Sequence, residues 1–321
     1  MNDQLRQKLE TLPAAPGIYQ MLDEAGAIIY IGKSKCLKRR VNSYFVPKPK
    51  WEKAQTMQKF IADLEIIVTD THLEAMLLEC SRIKEVRPFF NVLMKNEGHY
   101  SYLTVGRDAR KTPLTLSWER GPDSFGPLRS RGRAEALMAG LLNLYPLRKN
   151  RGHYQLTYHI FPQKLNREEF EENRSLLLEI FQEPRAMERF LRALERGMED
   201  AAKNQLFERA GKFRDLREGF LYLQKTLVSY RELTERELLY QVPIPGGTKL
   251  FYIFHGMAAY AERFPETEAI SEAEKQRFLA KARAHPEEAL KGYTEKELID
   301  FRDILYGELL HAPAGAVEQL S

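Results

Sequence analysis

Two tyrosine-bearing tripeptides near the start of the chain constrain its fold more than any other feature. Gly17-Ile18-Tyr19 and Tyr30-Ile31-Gly32 lie within two runs of β-prone residues, Gly17 to Met21 and Ala27 to Ile31. The loop between these runs, Leu22 to Gly26, carries acidic residues and ends in glycine. Two such runs joined by a short loop predict a β-hairpin that places both tyrosines at a strand edge.

The residues that follow the hairpin predict two helices. Gly32 is predicted to break the second strand, and Lys35 to Phe45 is predicted to continue as a helix with apolar residues at helical spacing. A second helix is predicted over Leu73 to Val86, where Leu77 and Ile83 contribute to an apolar side.

Beyond residue 100 the pattern changes to a mixture of strands, turns and helices. Residues 166–227 are rich in Glu, Arg and Leu, with Pro184 as their one proline, and predict a long helical region. The remaining predicted elements are strands Tyr100 to Val105 and Leu114 to Trp118, turns Gly121-Pro122 and Gly126-Pro127, helix Arg133 to Tyr145, a hairpin with strands Leu239 to Ile244 and Lys249 to Phe254 around Pro245-Gly246-Gly247, and helices to about His311.

Further segments extend the pattern of the two tripeptides and, with them, resemble the GIY-YIG nucleases of the UvrC/Cho type over about two thirds of the chain. The last of these segments is similar to the UVR motif. The segments are Tyr30 to Phe45, Leu73 to Glu79, Ile83-Lys84, Arg87 to Val92, Ser124 to Leu128, Tyr145 to Arg148 and Ala201 to Asp215.

The resemblance implies an α+β protein that begins with a nuclease domain, a small antiparallel sheet flanked by helices. We expect four segments: a GIY-YIG endonuclease domain at 1–100, a mixed α/β linker region at 101–195, a UVR-like helical hairpin at 196–230, and a β-hairpin with helices at 231–321. The length and apolar content of the chain permit two or three compact units.

A carboxylate on the second predicted helix is the candidate metal ligand. Glu79 lies beside the apolar side of that helix, where a lone carboxylate suits a hard divalent cation that keeps most of its water. In the family, the matched position binds a single Mg²⁺ or Mn²⁺. The alternative is an exposed helix glutamate with a basic neighbour, which is the interpretation of Glu74.

Two cations and a tyrosine are the other candidate catalytic groups that the resemblance implies. Tyr30 matches the tyrosine that acts as general base toward the attacking water, and its ordinary pKa near 10 requires help from positive charge. Lys33, Arg40 and the metal would give that help, and Arg40 matches the arginine that clamps phosphate through its planar fork of donors. Arg39 is the alternative to Arg40, since only the family spacing separates them.

Three further residues match supporting positions of the family, where they bind phosphate or fix the motif. Tyr19, Tyr44 and Asn91 also have structural interpretations: a strand-packing ring, a ring in an aromatic seam, and a turn residue after Pro88.

The positive charge of the chain is concentrated in its first half. Residues 1–160 carry 25 Lys and Arg against 16 Asp and Glu, a net of +9, whereas residues 161–321 carry 24 against 29, a net of −5. Basic residues interleaved with aromatic rings between positions 33 and 59 predict a DNA-binding surface, and a solvated basic helix face is the alternative. The candidate DNA-binding residues are Lys33, Lys35, Lys38, Arg39, Lys48 and Lys50.

Neither a disulfide framework nor a structural zinc site is predicted, because Cys36 and Cys80 show no ligand spacing. The family carries four cysteines for an iron–sulfur cluster; here Asn150 stands at the first of those positions, so no cluster is expected. His153 and His159 are interpreted as ordinary polar residues. Without an apolar run of membrane-spanning length or a secretion signal, we expect a cytoplasmic protein and no membrane partner.

The UVR-like segment is the candidate partner-binding site, and in the family its partner is the helicase UvrB. The candidate residues are Phe207, Glu208, Arg214 and Asp215. Gln205 replaces an expected leucine and Gly211 an expected alanine, and both changes would weaken a helical interface. The alternative is that these residues pack within the chain.

The resemblance implies a metal-dependent endonuclease of nucleotide excision repair that makes a single 3′-side incision in damaged double-stranded DNA. Two alternatives remain open: a catalytically silent adaptor that binds DNA and UvrB, and a repair-unrelated GIY-YIG nuclease for branched, mobile-element or RNA substrates.

Overall fold

The computed structural model describes residues 3–47, 49, 51–95, 100–110, 112–265 and 270–320. They divide into two compact units, one formed by Met1–Glu97 with Leu233–Ser321 and the other by Gly98–Glu232. The predicted α+β class is confirmed, including a small antiparallel sheet flanked by helices at the start of the chain. The four-segment division stays a prediction.

The first unit begins with a three-stranded antiparallel sheet in which the first strand is central. Every residue of this strand is buried, since helices and neighbouring strands cover it on all sides. Its register sets Tyr19 opposite Gly32. The elements are α1 (Asp3–Glu10), β1 (Gly17–Leu22), β2 (Ile28–Ser34), α2 (Leu37–Asn42), α3 (Glu52–Gln58), β3 (Asp63–Val68) and α4 (His72–Val86).

The prediction that Gly32 breaks the second strand is wrong. β2 continues to Ser34, and the Ser34 hydroxyl accepts the N–H of Cys36, which delays the start of α2 until Leu37. α2 also ends before the predicted Phe45. The side chain of Ser43 donates to a backbone carbonyl three residues earlier, a local bond that competes with helix continuation.

Helix α4 lies between two cores. Its Thr71 and Glu74 form a capping box that fixes the first turn. One side of the helix, with Ala75 and Ile83, shares a core with Ile18 and Ile31 of the sheet. The other side packs on residues from the end of the chain.

That second core comes from a four-stranded antiparallel sheet and its helices. Leu73 of α4 packs with Leu238 and Phe251, and Cys80 packs with Met257 and Phe301. The elements are α9 (Tyr230–Glu235), β9 (Leu238–Ile244), β10 (Gly247–Phe254), β11 (Met257–Pro265), α10 (Glu272–Ala282), α11 (Glu295–Leu310) and β12 (Val317–Gln319), in sheet order β11-β10-β9-β12.

The predicted hairpin around Pro245-Gly246-Gly247 is confirmed as β9 and β10, but the prediction of helices alone after it is wrong. β11 is rich in alanine, which favours helix in isolation, and becomes a strand because it pairs with β10 along its length.

The second unit combines two small sheets with a group of helices. Gly126-Pro127 was predicted as a turn and instead lies inside β6, an edge strand. The pairing of β6 with β4 is irregular there and gives neither residue a register partner, so the missing N–H of proline breaks no ladder bond. The elements are β4 (Ser101–Val105), β5 (Leu114–Ser117), β6 (Ser124–Leu128), α5 (Arg131–Leu142), β7 (Arg148–Asn150), β8 (His153–Gln155), α6 (Arg167–Gln182), α7 (Pro184–Lys203) and α8 (Phe207–Gln224).

Helices α7 and α8 pack along each other and are joined by a turn at residues 204–206, within the UVR-like segment. Phe213 faces inward against Gly197, whereas Leu206 and Phe207 are exposed. In the part of the chain that the structure describes, no helix has both the length and the apolar character needed to cross a membrane.

Candidate active site

The hairpin of β1 and β2 brings the tyrosines of the two tripeptides together. The Tyr19 ring lies across Gly32 of the neighbouring strand, and a Cβ at that position would overlap the Tyr19 hydroxyl. The tripeptide glycine is therefore required by a ring on the opposite strand. Tyr19 is fully buried, and burial raises the pKa of its hydroxyl well above the ordinary value.

Tyr19, Tyr30, Tyr44 and Arg40 form a cluster, here called the tyrosine pocket. The ring centroids of Tyr19, Tyr30 and Tyr44 lie 5.8 to 6.3 Å apart. The hydroxyls of Tyr19 and Tyr44 share a hydrogen bond of 2.9 Å. Arg40 donates from Nε to the Tyr19 hydroxyl at 3.3 Å and from Nη2 to the Tyr44 hydroxyl at 3.1 Å.

Arg40, and not Arg39, is the arginine of this pocket. Its guanidinium carbon lies 4.5 Å from the Trp51 ring centroid and 5.1 Å from the Tyr44 centroid, so two rings hold the guanidinium plane. Arg39 is exposed on α2. The guanidinium has five N–H donors, so its bonds to two hydroxyls do not exhaust it.

Tyr30 occupies the half-buried side of the pocket. Burial, followed by the influence of Tyr44 and Glu79, raises the pKa of its hydroxyl far above 10, and Arg40 only partly opposes this. The ammonium of Lys53 lies 5.2 Å from the Tyr30 ring centroid. The Tyr30 hydroxyl therefore holds its proton more tightly than that of an ordinary tyrosine.

Glu79 lies on α4 and faces the end of β2. Its Oε1 accepts the backbone N–H of Lys33 at 3.1 Å, and its Oε2 lies 3.6 Å from the Lys33 ammonium. The carboxylate is mostly buried, and burial raises its pKa, although the nearby charge of Lys33 acts in the opposite direction. A buried carboxylate with one oxygen fixed by the backbone is pre-positioned to bind a cation.

Glu74, predicted as an exposed glutamate with a basic neighbour, is instead only 23% exposed and, like Glu79, accepts a backbone N–H and pairs with a lysine, but its partners are structural. Its carboxylate closes the capping box at Thr71, and its Oε1 pairs with Lys249 at 2.8 Å. Both contacts stabilise helix α4, which agrees with a structural interpretation of Glu74.

Asn91 connects the loop after α4 to β2. Its side chain accepts the N–H of Ile31 and donates to the carbonyl of Ile31, both at 2.9 Å. The backbone N–H of the preceding residue, Phe90, binds the carbonyl of Ile29. These bonds flank Tyr30 on both sides, so Asn91 holds the strand segment that carries Tyr30.

The predicted DNA-binding residues are not all brought into the pocket. Lys33 contacts Glu79, whereas Lys35, Lys38 and Arg39 are exposed around the start of α2. Lys48 and Lys50 lie outside the described residues.

The predicted partner-binding residues lie at the hairpin of the second unit. Phe207 and Glu208 begin α8 and are exposed. Arg214 and Asp215 form an exposed ion pair of 2.9 Å between neighbouring residues. Together they form an accessible surface at one end of α8.

Sequence reasoning assigned no role to Lys53 and treated Trp51 only as one ring among several. Both belong to the basic and aromatic stretch between residues 33 and 59, so the signal was present. Their place against Tyr30 and Arg40 depends on how α3 packs, which the spacing of residues did not reveal.

The described residues contain no group of three or more His, Cys, Asp or Glu arranged to hold a metal ion. A cation bound at Glu79 would therefore keep most of its ligands as water. That is the usual way in which Mg²⁺ binds proteins, so the residues present fit such an ion.

Comparison with known proteins relates this site to one family. Residues 15–92 match the family described as the UvrC-like GIY-YIG domain. UvrABC system protein C of Desulfitobacterium hafniense is 34% identical over 247 residues, which cover 73% of this chain and 40% of that protein. The same protein of Acetivibrio thermocellus is 36% identical over 230 residues, covering 66% of this chain and 36% of that protein.

Among solved structures, the chain is similar to the GIY-YIG N-terminal endonuclease domain of UvrC from Thermotoga maritima, determined with bound magnesium. The identity is 38%, the coverage 29% of this chain and 100% of that chain, and the TM-score 0.27. The chain spans about two fifths of the length of the curated relatives.

Proposed function

We propose that this protein is a divalent-metal-dependent DNA endonuclease of nucleotide excision repair, because residues 15–92 match the UvrC-like GIY-YIG family. It makes a single incision in damaged double-stranded DNA, on the 3′ side of the lesion. The observation that carries the proposal is the tyrosine pocket, in which Arg40 is held by two hydroxyls and two rings next to the buried carboxylate Glu79.

Glu79 would hold the divalent ion, Mg²⁺ or Mn²⁺. When bound, that ion would supply positive charge to stabilise the negative charge that develops on the phosphoryl oxygens. Lys33 fixes the orientation of the carboxylate through its backbone N–H and keeps an ammonium beside it. Lys33 can therefore bind the carboxylate with its backbone N–H and bind phosphate with its ammonium.

Arg40 binds the scissile phosphate through donors that its two tyrosine bonds leave available. Tyr19 and Tyr44 accept from the guanidinium, and Trp51 stacks on it, so the fork is oriented before substrate arrives. A pre-oriented donor needs no reorganisation during the reaction, which is the main source of electrostatic catalysis.

Tyr30 first loses its own phenolic proton to solvent and then, as a tyrosinate, takes a proton from the attacking water. Because burial raises the pKa of Tyr30, this step requires positive charge near the hydroxyl. Arg40 and Lys53 contribute part of it. Asn91 acts as a positioning residue, since its two bonds to Ile31 hold the strand beside Tyr30.

The helical hairpin α7–α8 docks UvrB. Support comes from the exposed surface at the start of α8, where Phe207 is 71% exposed. Charge reversal by Arg214→Glu is expected to weaken binding of the cognate UvrB in calorimetry, while Arg192→Glu, an equally exposed change on α7, leaves it unaltered. Undetectable binding at high micromolar concentration would assign the hairpin to packing within the chain.

A cleavage assay on a lesion-containing duplex, with Mg²⁺ or Mn²⁺ and with or without UvrB, tests the proposed function. We expect one metal-dependent cut on the 3′ side of the lesion. DNA binding without metal-dependent cutting would identify a silent adaptor. Preference for branched DNA or RNA would identify a nuclease unrelated to excision repair.

A further inference from the structure

Three phenylalanines form an exposed aromatic cluster beside the tyrosine pocket, here called the aromatic platform. The ring centroid of Phe90 lies 5.9 Å from that of Phe60 and 5.1 Å from that of Phe89. Phe60 is 54% exposed and Phe89 is 78% exposed, which is unusual for side chains of this size. Phe90 is half-buried and anchors the cluster to the core of the nuclease domain.

The backbone holds the platform in place from two directions. Phe60 follows α3 and donates its N–H to the carbonyl of Met57. Phe90 donates its N–H to the carbonyl of Ile29, next to Tyr30. The exposed rings are therefore fixed to the strand and the helix that also present Tyr30 and Lys53.

Charge around the platform favours an anionic partner. Lys59 directly precedes Phe60 and is exposed, and Arg87 lies two residues before Phe89. The ammonium of Lys95 donates to the carbonyl of Pro88 at 2.9 Å. Exposed rings among cations are the composition with which proteins bind unpaired nucleotides, whose bases stack on rings while phosphates meet the cations.

We propose that the aromatic platform binds an unpaired nucleobase of the DNA strand near the cut. The proposal rests on the function proposed above and specifies its substrate as DNA with a locally unstacked base. Phe89, the more exposed ring, stacks on the base, and Phe60, whose ring is not parallel to that of Phe89, contacts the edge of the base; Phe90 contacts both rings. A fully paired duplex keeps its bases stacked on one another and gains nothing from these rings.

Helix α3 connects the platform to the tyrosine pocket. Lys53 in its first turn lies over the Tyr30 ring, and Phe60 lies two residues beyond its last residue, Gln58. The platform is therefore close in the chain to the groups proposed to act on the phosphate.

Binding is tested with the full chain carrying Glu79→Gln, so that DNA is bound and not cut. The probes are a duplex with one unpaired 2-aminopurine, the same duplex fully paired, and the single strand. Phe60→Ala and Phe89→Ala are each expected to weaken binding of the unpaired probes roughly 10-fold and to remove the fluorescence quenching caused by stacking. Phe89→Trp should restore both.

Phe161→Ala is the matched control, because Phe161 is also 78% exposed but belongs to the second unit. It should leave all three affinities unchanged. Equal losses on paired and unpaired probes would overturn the proposal. Unchanged affinities would also overturn it. If the phenylalanine variants then shifted from dimer to monomer in sedimentation, the platform would be assigned to contact with a second copy of the chain.

Cleavage by the protein without Glu79→Gln separates the two proposals. If lesion DNA is cut but the phenylalanine variants bind and cut normally, the platform is wrong and the nuclease function stands. If no DNA is cut under any condition while the platform still discriminates unpaired bases, the nuclease function is wrong and the binding site stands.

Discussion

The polar side chains of the tyrosine pocket are hydrogen-bonded to one another, whereas the turn between α7 and α8 has exposed apolar side chains. In the pocket, Arg40 is held by hydrogen bonds to the hydroxyls of Tyr19 and Tyr44. At the turn, Leu206 and Phe207 are exposed. The pocket thus holds its polar groups in fixed positions, whereas the turn presents an apolar surface.

Backbone geometry strengthens this comparison. Gln205 in the turn has φ +60°, a left-handed conformation that costs a residue other than glycine about 1 kcal/mol. α8 then begins after Leu206, whose side chain cannot accept a capping hydrogen bond. By contrast, α4 begins with a capping box. We infer that α8 frays more readily than the helix that carries Glu79.

The largest expected effect is the loss of cleavage in Glu79→Gln. The change keeps the shape of the side chain but removes the charge that would hold a metal ion, so the cleavage rate should fall about 10³- to 10⁴-fold. Glu74→Gln, on the same helix, should retain cleavage and only reduce thermal stability. Initial cleavage rates in Mg²⁺ are measured for both variants. Near-normal turnover by Glu79→Gln would contradict the proposed role of Glu79.

A large loss of stability is expected when α4 loses its buried ion pair. Lys84 and Asp300 are bound at 2.6 Å, and their side chains are only 5% and 0% exposed. Asp300→Ala leaves a buried ammonium uncompensated, which costs about 3 kcal/mol or more.

The partly exposed pair Lys8–Asp63, bound at 2.7 Å in the same unit, provides the control. Asp63→Ala should cost about 1 kcal/mol or less, because solvent screens the pair. Urea unfolding measures the free energies, and equal losses in the two variants would show that α4 does not depend on its second core.

Arg40→Lys and Tyr30→Phe should each lower the cleavage rate by about 10²-fold, since one loses the planar fork and the other the proton acceptor. Tyr19→Phe should lose less, because it removes a hydroxyl that only positions Arg40. Single-turnover rates at saturating metal separate these outcomes. Small and equal losses in all three would reduce the pocket to packing.

Two glycines of the helical hairpin should respond in opposite directions to alanine. A Cβ at Gly211 meets no heavy atom within 4 Å among the described residues, so Gly211→Ala should stabilise α8 by about 0.5–1 kcal/mol. At Gly197 a Cβ would lie 2.7 Å from the Phe213 ring, so Gly197→Ala should destabilise the hairpin. Thermal unfolding of the two variants tests whether α7 and α8 pack as described.

The smallest expected effect is that Tyr30 adds no tyrosinate absorbance up to pH 10. Exposed tyrosines ionise near pH 10, but burial raises the pKa of Tyr30 well above that value, so Tyr30 should remain protonated there. Alkaline titration of the metal-free protein and of Tyr30→Phe should give matching tyrosinate absorbance up to pH 10. An excess of one tyrosinate in the unaltered protein would show that the pocket already favours the ionised form.

Local chemistry explains which parts of this fold the sequence revealed. The β9–β10 turn was predictable because Pro245-Gly246-Gly247 allows few other conformations. β11 was not, because its alanines become a strand only through pairing with β10. In the same way, Gly32 indicated the end of a strand, because the sequence does not show that the Tyr19 ring lies over this position and requires a glycine there.

The residues of the candidate site also differ in whether the sequence reveals them. Glu79 and Arg40 were identified from short-range spacing that resembles a family. Their partners Trp51 and Lys53 depend on the packing of α3, and the pairing of Lys84 with Asp300 joins residues 216 positions apart. Interactions across such distances leave no periodic pattern in the chain.

The enclosure of α4 between two cores has a consequence for synthesis on the ribosome. Its second core comes from residues at the opposite end of the chain, and Asp300 follows Lys84 by 216 positions. At ribosomal rates, roughly 10 to 40 seconds separate the appearance of these two residues. During that interval the nascent chain carries an uncovered apolar helix face and an unpaired lysine, so slower translation of the last third of the message should lower the yield of native protein.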